Sequence, residues 1–228
     1  MHHIYCISGL GADHRLFDNL QLNNAQLHFI DWILPAETDT LQTYAQLLAT
    51  QIKHPEIVLM GVSFGGMLAT AITTFAQEHP QPYSIKKTII ISSCKSPAEL
   101  PLLMKWAGKL GLHRIMPYKL ILRSASLNRF LFDLRSRQEE LYLKLQMLQG
   151  NTPEIIERSI NLILTWIGDP EPTHLVHIHG NADRLLTPAN IKADFWIEDG
   201  GHFMVWNKAP EISVIINTLL SNKSIPDF

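Results

Sequence analysis

Nowhere in these 228 residues does an apolar stretch run unbroken for the ~18 positions that a membrane-spanning helix needs, so a span is excluded on length alone. There is no long basic run either, and 19 Lys and Arg against 21 Asp and Glu leave a formal charge of -2. Proteins that bind nucleic acid or acidic lipid carry a basic footprint, so neither is an expected partner. Cysteine is scarce. Cys6 and Cys94 both fall in apolar, strand-like runs, where buried free thiols are expected rather than a disulfide or a metal pair. Such thiols suit a reducing compartment. The first residues lack the charged flank, long apolar segment and small-residue cleavage site of a secretory signal, and Met1-His2-His3 leads straight into the strand-like Ile4-Tyr5-Cys6-Ile7. Cytoplasmic residence is the expectation, with His2 and His3 as exposed surface at a strand start.

Phosphate-binding signatures are also missing. Ser8-Gly9-Leu10-Gly11 follows the first strand, but it has neither the Gly-x-x-x-x-Gly-Lys-Ser/Thr pattern nor a third glycine at dinucleotide spacing. No cofactor is expected, and a small molecule is the default partner.

Hydrophobic residues make up 46% of the chain and charged residues 18%, enough for one sizeable core with an insertion. The run Ile57-Val58-Leu59-Met60 reads as a buried strand of a parallel sheet, and Met67, Leu68, Ala71, Ile72 and Phe75 then recur at helical spacing. Residues 27–32 give another strand and 40–52 a helix with Leu41, Tyr44, Ala45, Leu48 and Ile52 on one face, capped by Asp39 or Thr40. A further strand covers 88–93. Strands alternating with helices predict an α/β fold: a mostly parallel sheet with helices on both faces.

From about 96 to 168 the alternation stops, and apolar residues recur only at helical spacing between Pro101, Pro117, Gly150 and Pro153. The expected organisation is a core of 1–95 and 169–228 with 96–168 inserted as a helical cap. Apolar surface beyond one buried stripe, including Trp106, Trp166, Met104 and Met147, would line a pocket. Arg114, Arg123, Arg129, Arg135 and Arg137 read as a solvated face. The sheet resumes over 175–180, a short strand spans 193–197, and a helix from about 210 to 220 closes the chain.

Between the strand at 57–60 and its helix lies Gly61-Val62-Ser63-Phe64-Gly65-Gly66. A strand turning this sharply into a helix leaves Ser63 at the apex, its hydroxyl above the sheet and the Phe64 N–H facing a developing oxyanion. The Leu10 N–H, in the glycine-rich loop, is the expected second donor. A serine hydroxyl needs a base to take its proton and an acid to orient that base. Asp183 and His202 lie in loops after later strands, so all three converge on the carboxyl edge of the sheet. Asp199 is the competing acid, but three residues from His202 on a tight turn it is poorly aimed. His177 and His179 flank Ile178, are expected to face opposite sides and so not to share a metal, and suit supporting roles. His14 either touches substrate or sits exposed.

Four pieces in this order resemble the α/β-hydrolase fold family across nearly the whole length: Ser8-Gly9-Leu10-Gly11, the elbow 61–66, His179-Gly180-Asn181-Ala182-Asp183, and Gly200-Gly201-His202. The resemblance implies Ser63 as nucleophile, His202 as base, Asp183 as orienting acid, and the amides of Leu10 and Phe64 as an oxyanion hole. It also implies that 96–168 is the cap. Gly9, Trp106, Trp166 and Phe203 are the candidate substrate contacts. Two departures stand out. Ser8 occupies the place of the family's leading His, and the chain opens at what the family counts as its third strand, without the antiparallel edge strands. The expected activity is hydrolysis of a small, apolar ester or thioester. Carbon–carbon hydrolase or lyase chemistry on the same site, and a silent ligand-binding protein, are the alternatives.

Overall fold

A computed structural model of the chain describes residues 1–111, 134, 136, 139, 141, 152–168 and 171–221. The strands are β1 (His2–Ile7), β2 (Ala25–Phe29), β3 (Glu56–Val62), β4 (Ser84–Ile91), β5 (Leu175–Gly180) and β6 (Phe195–Ile197). They form one sheet in the order β2-β1-β3-β4-β5-β6, and every neighbouring pair is parallel. The described helices are α1 (Leu41–Ala49), α2 (Phe64–Glu78), α3 (Leu102–Lys109), α4 (Pro153–Leu164), α5 (Met204–Asn207) and α6 (Ala209–Ser221). No antiparallel edge strand occurs among the described residues, and none of their helices is long and apolar enough to cross a membrane.

A parallel sheet must be covered on both faces, and the alternation of side chains along β3 shows how this one is. Ile57 and Leu59 enter a core with Tyr44 and Leu48 of α1 and Leu68 and Ile72 of α2. Val58 and Met60 point the other way, into a core with Ile89 and Ile91 of β4 and Ile212 and Ile216 of α6. Cys6 and Cys94 are buried free thiols, as their apolar context suggests, and burial pushes the Cys6 thiol far above its usual value.

Thr40 caps α1. Its hydroxyl oxygen accepts the Thr43 N–H while the Thr43 hydroxyl oxygen accepts the Thr40 N–H, and Asp39 takes the Thr43 O–H at 2.8 Å. Several boundaries differ from the sequence expectation. Strand β4 covers Ser84–Ile91 rather than 88–93, because its pairing with β3 begins at Glu56↔Ser84 and Ser92 turns to φ 46°. Strand β6 and helix α1 are shorter than the expected 193–197 and 40–52. The second strand is Ala25–Phe29 rather than 27–32, because pairing with β1 begins at His2↔Ala25 and Trp32 is drawn away to the loop after β1. The helix expected over 153–167 stops at Leu164, with Thr165 as its cap and Gly168 at φ 98° beyond it.

Of the expected cap, the two ends are described, and they are helix and turn without strand. Gly108 of α3 lies so close against the Leu164 carbonyl that a Cβ there would collide with it. Arg114, Arg123, Arg129, Arg135, Arg137, Met147, Pro117 and Gly150 lie outside the described residues.

A tight crossing joins β1 to the start of α2, where Gly65 rests against the carbonyls of Ile7 and Ser8 with no room for a Cβ. Those contacts are backbone and cannot swing aside. Gly65→Ala should therefore lower unfolding stability by about 3 kcal/mol or prevent folding, as the midpoint of urea denaturation will show. A variant as stable as the parent would mean that the strand and helix can separate at no cost.

Candidate active site

Ser63 stands between β3 and α2 with φ 54° and ψ -121°, a conformation that non-glycine residues rarely hold. Strain of this kind persists only where neighbours over-determine it. The Ser63 N–H donates to Ile91 of β4 at 3.0 Å, and its carbonyl accepts from the Ser93 hydroxyl at 2.6 Å and the Gly66 N–H at 2.9 Å. Strand β4 thus pins the backbone from one side and α2 from the other, leaving the hydroxyl to point out of the sheet edge.

Asp183 lies in the loop after β5, its side chain wholly buried. One carboxylate oxygen accepts the N–H groups of Leu185 and Leu186 at 2.8 and 2.9 Å. The other meets His202 Nδ1 at 2.8 Å, and His202 Nε2 meets Ser63 Oγ at 2.9 Å. A carboxylate only accepts, so Nδ1 carries the proton and Nε2 offers its lone pair to the serine O–H. Burial pushes the Asp183 carboxyl up, but the charge and hydrogen bond of His202, the His179 ring and the Leu186 N–H outweigh it and hold the group below the usual carboxylate value. Asp199, the competing acid, donates its N–H to the Asn181 side chain at 2.9 Å.

Behind Asp183 the structure corrects one expectation. His177 and His179 do not face opposite sides, because residues two apart on a strand share a face. His177 Nε2 lies 3.2 Å from His179 Nδ1, and His179 Nε2 lies 2.9 Å from the Leu186 carbonyl and 3.5 Å from Asp183. The carbonyl only accepts, so His179 donates from Nε2 and its Nδ1 takes the His177 proton. Both rings are buried. Desolvation, then the neighbouring His179 and Lys95, pushes His177 down to about 2, and desolvation lowers His179 as well. Two neutral imidazoles therefore brace the loop that carries Asp183.

The loop after β1 closes the other side. The Ser8 hydroxyl donates to the Ala12 carbonyl at 2.9 Å, and the Trp32 indole N–H is shared between the Ser8 hydroxyl and that same carbonyl at 3.1 and 2.9 Å. Trp32 also stacks on Phe64, with ring centroids 5.6 Å apart and planes 2° from parallel. This is how the loop is held with Ser8 where the family has His. Sequence reading missed Trp32, and a lone Trp just past a strand carries no signal that could have found it. Among the described residues, no protein acceptor takes the N–H of Leu10 or of Phe64. A Cβ on Gly9 would touch Ser63 Cβ at 3.4 Å, so Gly9 borders the serine directly.

The other candidate contacts are scattered. Trp166 is buried among the core residues on the α1–α2 face, and its indole N–H finds no partner among the described residues. Phe203 is buried in the core on the opposite face of the sheet, alongside Phe17 and Ile197. Trp106 is 59% exposed on α3, with the Lys109 ammonium 5.8 Å from its ring. His14 is exposed beside Phe29.

Comparison with known proteins agrees with this architecture. The family model described as the alpha/beta hydrolase family matches residues 4–212, and the chain belongs to that family of enzymes. No curated protein matches the sequence. Among solved structures, an esterase from Exiguobacterium antarcticum superimposes with a TM-score of 0.66 at 15% identity, covering 97% of this chain and 91% of that one. The enol-lactonase from Burkholderia xenovorans LB400 gives 0.65 at 14% identity over 96% and 91%. The meta-cleavage product hydrolase from Pseudomonas fluorescens IP01 gives 0.67 at 12% identity over 97% and 91%. At such identities the likeness is one of fold.

The buried imidazoles set a pH dependence. Below the ordinary imidazole value of 6.5 the unfolded chain takes up protons that His177 and His179 refuse in the fold, so stability falls with falling pH. Asp183 acts in a more acidic window, because its contribution is lost only as pH drops through its depressed folded value. Urea denaturation at pH 5 and pH 7.5 should show the acidic sample less stable, on the order of 1 kcal/mol per pH unit for each imidazole kept neutral. His177→Gln should flatten that slope; an unchanged slope would place the protons elsewhere.

Proposed function

We propose that the protein is a serine hydrolase that cleaves a small, apolar ester or thioester through an acyl-enzyme. The observation that carries this reading is the hydrogen-bonded line from Asp183 through His202 to Ser63, with the serine on a strained turn and partly open to solvent while the other two are buried. An unassisted hydroxyl is a poor nucleophile, and this line supplies what it lacks.

In the proposed reaction Ser63 Oγ attacks the acyl carbon as its proton passes to His202 Nε2. The carbonyl electrons move to oxygen, where the N–H groups of Phe64 and Leu10 receive the charge. The buried Asp183 carboxylate stabilises the imidazolium through Nδ1–H without taking the proton. Collapse of the tetrahedral intermediate expels the alcohol or thiol, which leaves with the Nε2 proton. Water then gives a proton to Nε2, attacks the acyl-serine, and releases the carboxylic acid as the proton returns to Oγ. No step calls for a metal or an organic cofactor.

The partner in this reading is a small molecule, bound between Gly9, which borders Ser63, and the helical segment 96–168 acting as a cap. Trp166 and Trp106 are the tryptophans that segment would offer. Specificity rests on that roof, because the residues around Ser63 serve the acyl group's chemistry rather than its size.

Acyl p-nitrophenyl esters of two to eight carbons, with matched thioesters, test the reading. Turnover is expected, with kcat/KM falling at least about 1,000-fold in Ser63→Ala and severely in Asp183→Asn, both still folded by circular dichroism. Full turnover in Ser63→Ala, or none with any ester or thioester alongside cleavage of a β-diketone, would replace acyl transfer with another use of the same site.

A further inference from the structure

We propose that His3, His28 and His54 form a binding site for a divalent transition-metal ion, of which zinc is the type, on the β1–β2 side of the sheet. The three imidazoles come from three segments: β1, β2 and the stretch that leaves α1 for β3. Each offers a ring nitrogen, and these nitrogens all lie within 4.8 Å of one another. The inference is independent of the serine chemistry.

Sheet register makes the meeting possible. Tyr5 pairs with His28 and His3 with Gln26, so His28 sits one diagonal step from His3 on the same face. His3 Nδ1 is 3.0 Å from His28 Nε2. His54 is brought over them by Tyr5, whose hydroxyl oxygen lies 2.8 Å from His54 Nδ1 and accepts the Lys53 N–H at 2.9 Å. The His3 and His54 rings stack with centroids 3.8 Å apart and planes 16° from parallel, and His28 tilts against both.

A tetrahedral ion with bonds of about 2.0–2.1 Å to imidazole nitrogen holds its ligand atoms roughly 3.3–3.4 Å apart. The His3–His28 pair is within a few tenths of an ångström of that spacing, and the His3–His54 stack has to fan open so that both lone pairs converge. All three side chains are partly exposed, which leaves room for that rotation and a route for the ion from solvent.

The chemistry of the donors selects the ion. Three neutral nitrogens without a carboxylate suit zinc, cobalt, nickel or copper and not magnesium or calcium, and the fourth position is left to water.

His3 lies near the amino end of β1, His54 just ahead of β3 and His28 four residues into β2, whereas Ser63, Asp183 and His202 all follow carboxyl ends of β3, β5 and β6. An ion there would tie the edge strand β2 and the α1–β3 connection to β1, a clip on the fold rather than a participant in hydrolysis.

Isothermal titration of chelator-stripped, untagged protein with zinc is expected to show one ion per chain, with a rise in Tm. Cobalt in its place should give the visible absorption of a tetrahedral centre. His28→Ala and His54→Ala should each weaken zinc binding at least tenfold while ester turnover stays unchanged. Absence of one-to-one binding, or full affinity in the double variant, would overturn the site. Should a variant fail to fold, X-ray absorption of the zinc-loaded parent decides: three imidazole nitrogens support the proposal, and fewer contradict it.

Discussion

The backbone of Ser63 is the constraint on which the rest depends. A residue with a side chain is held at positive φ between β3 and α2, and nothing local favours that state. What holds it is β4 and the turn that follows it, where the Ile91 carbonyl and the Ser93 hydroxyl grip the Ser63 peptide from both ends. Gly65 lets α2 start close enough to β1 for the turn to close at all. Strain at the apex is thus sustained by a sheet buried on both faces, and the buried sheet exists because β1, β3 and β4 are apolar on both sides.

From that point the geometry radiates. Parallel strands send their carboxyl ends to one edge, so residues 120 and more positions beyond Ser63 return to it without any local signal joining them. Each return is separately braced. Asp183 is fixed by two backbone amides and backed by the neutral pair His177 and His179, and His202 is fixed by Asp183. Across the site, Trp32 ties the loop of Gly9 and Leu10 while stacking on Phe64. A serine, its base and its acid are in reach of one another because each of the turns that carry them is held in place by its own neighbours.

Much of this was legible in the chain, for physical reasons that differ by residue. The run from Ile57 into Gly61-Val62-Ser63 could be read because strand, tight turn and helix are local, and Asp183 and His202 because loops after parallel strands must converge. The bracing was harder to see. His177 and His179, expected on opposite faces, share one, as residues i and i+2 of a strand must. Trp32 ended outside its expected strand because its indole N–H is claimed by Ser8 and Ala12, a demand invisible from its neighbours in sequence. His3, His28 and His54 are some 25 residues apart at each step, and only the β1–β2 register and the Tyr5 hydroxyl bring them together. His3, read from sequence as plain exposed surface, turned out partly buried among rings.

The central claim is that Ser63 is made nucleophilic by His202, and covalent trapping tests it most directly. Incubation with a fluorophosphonate, followed by mass spectrometry of the digested protein, should show one phosphonyl group on the peptide containing Ser63 and almost none in a folded His202→Ala variant. Unlabelled Ser63 in the folded parent protein, or labelling that survives loss of His202 undiminished, would contradict the account.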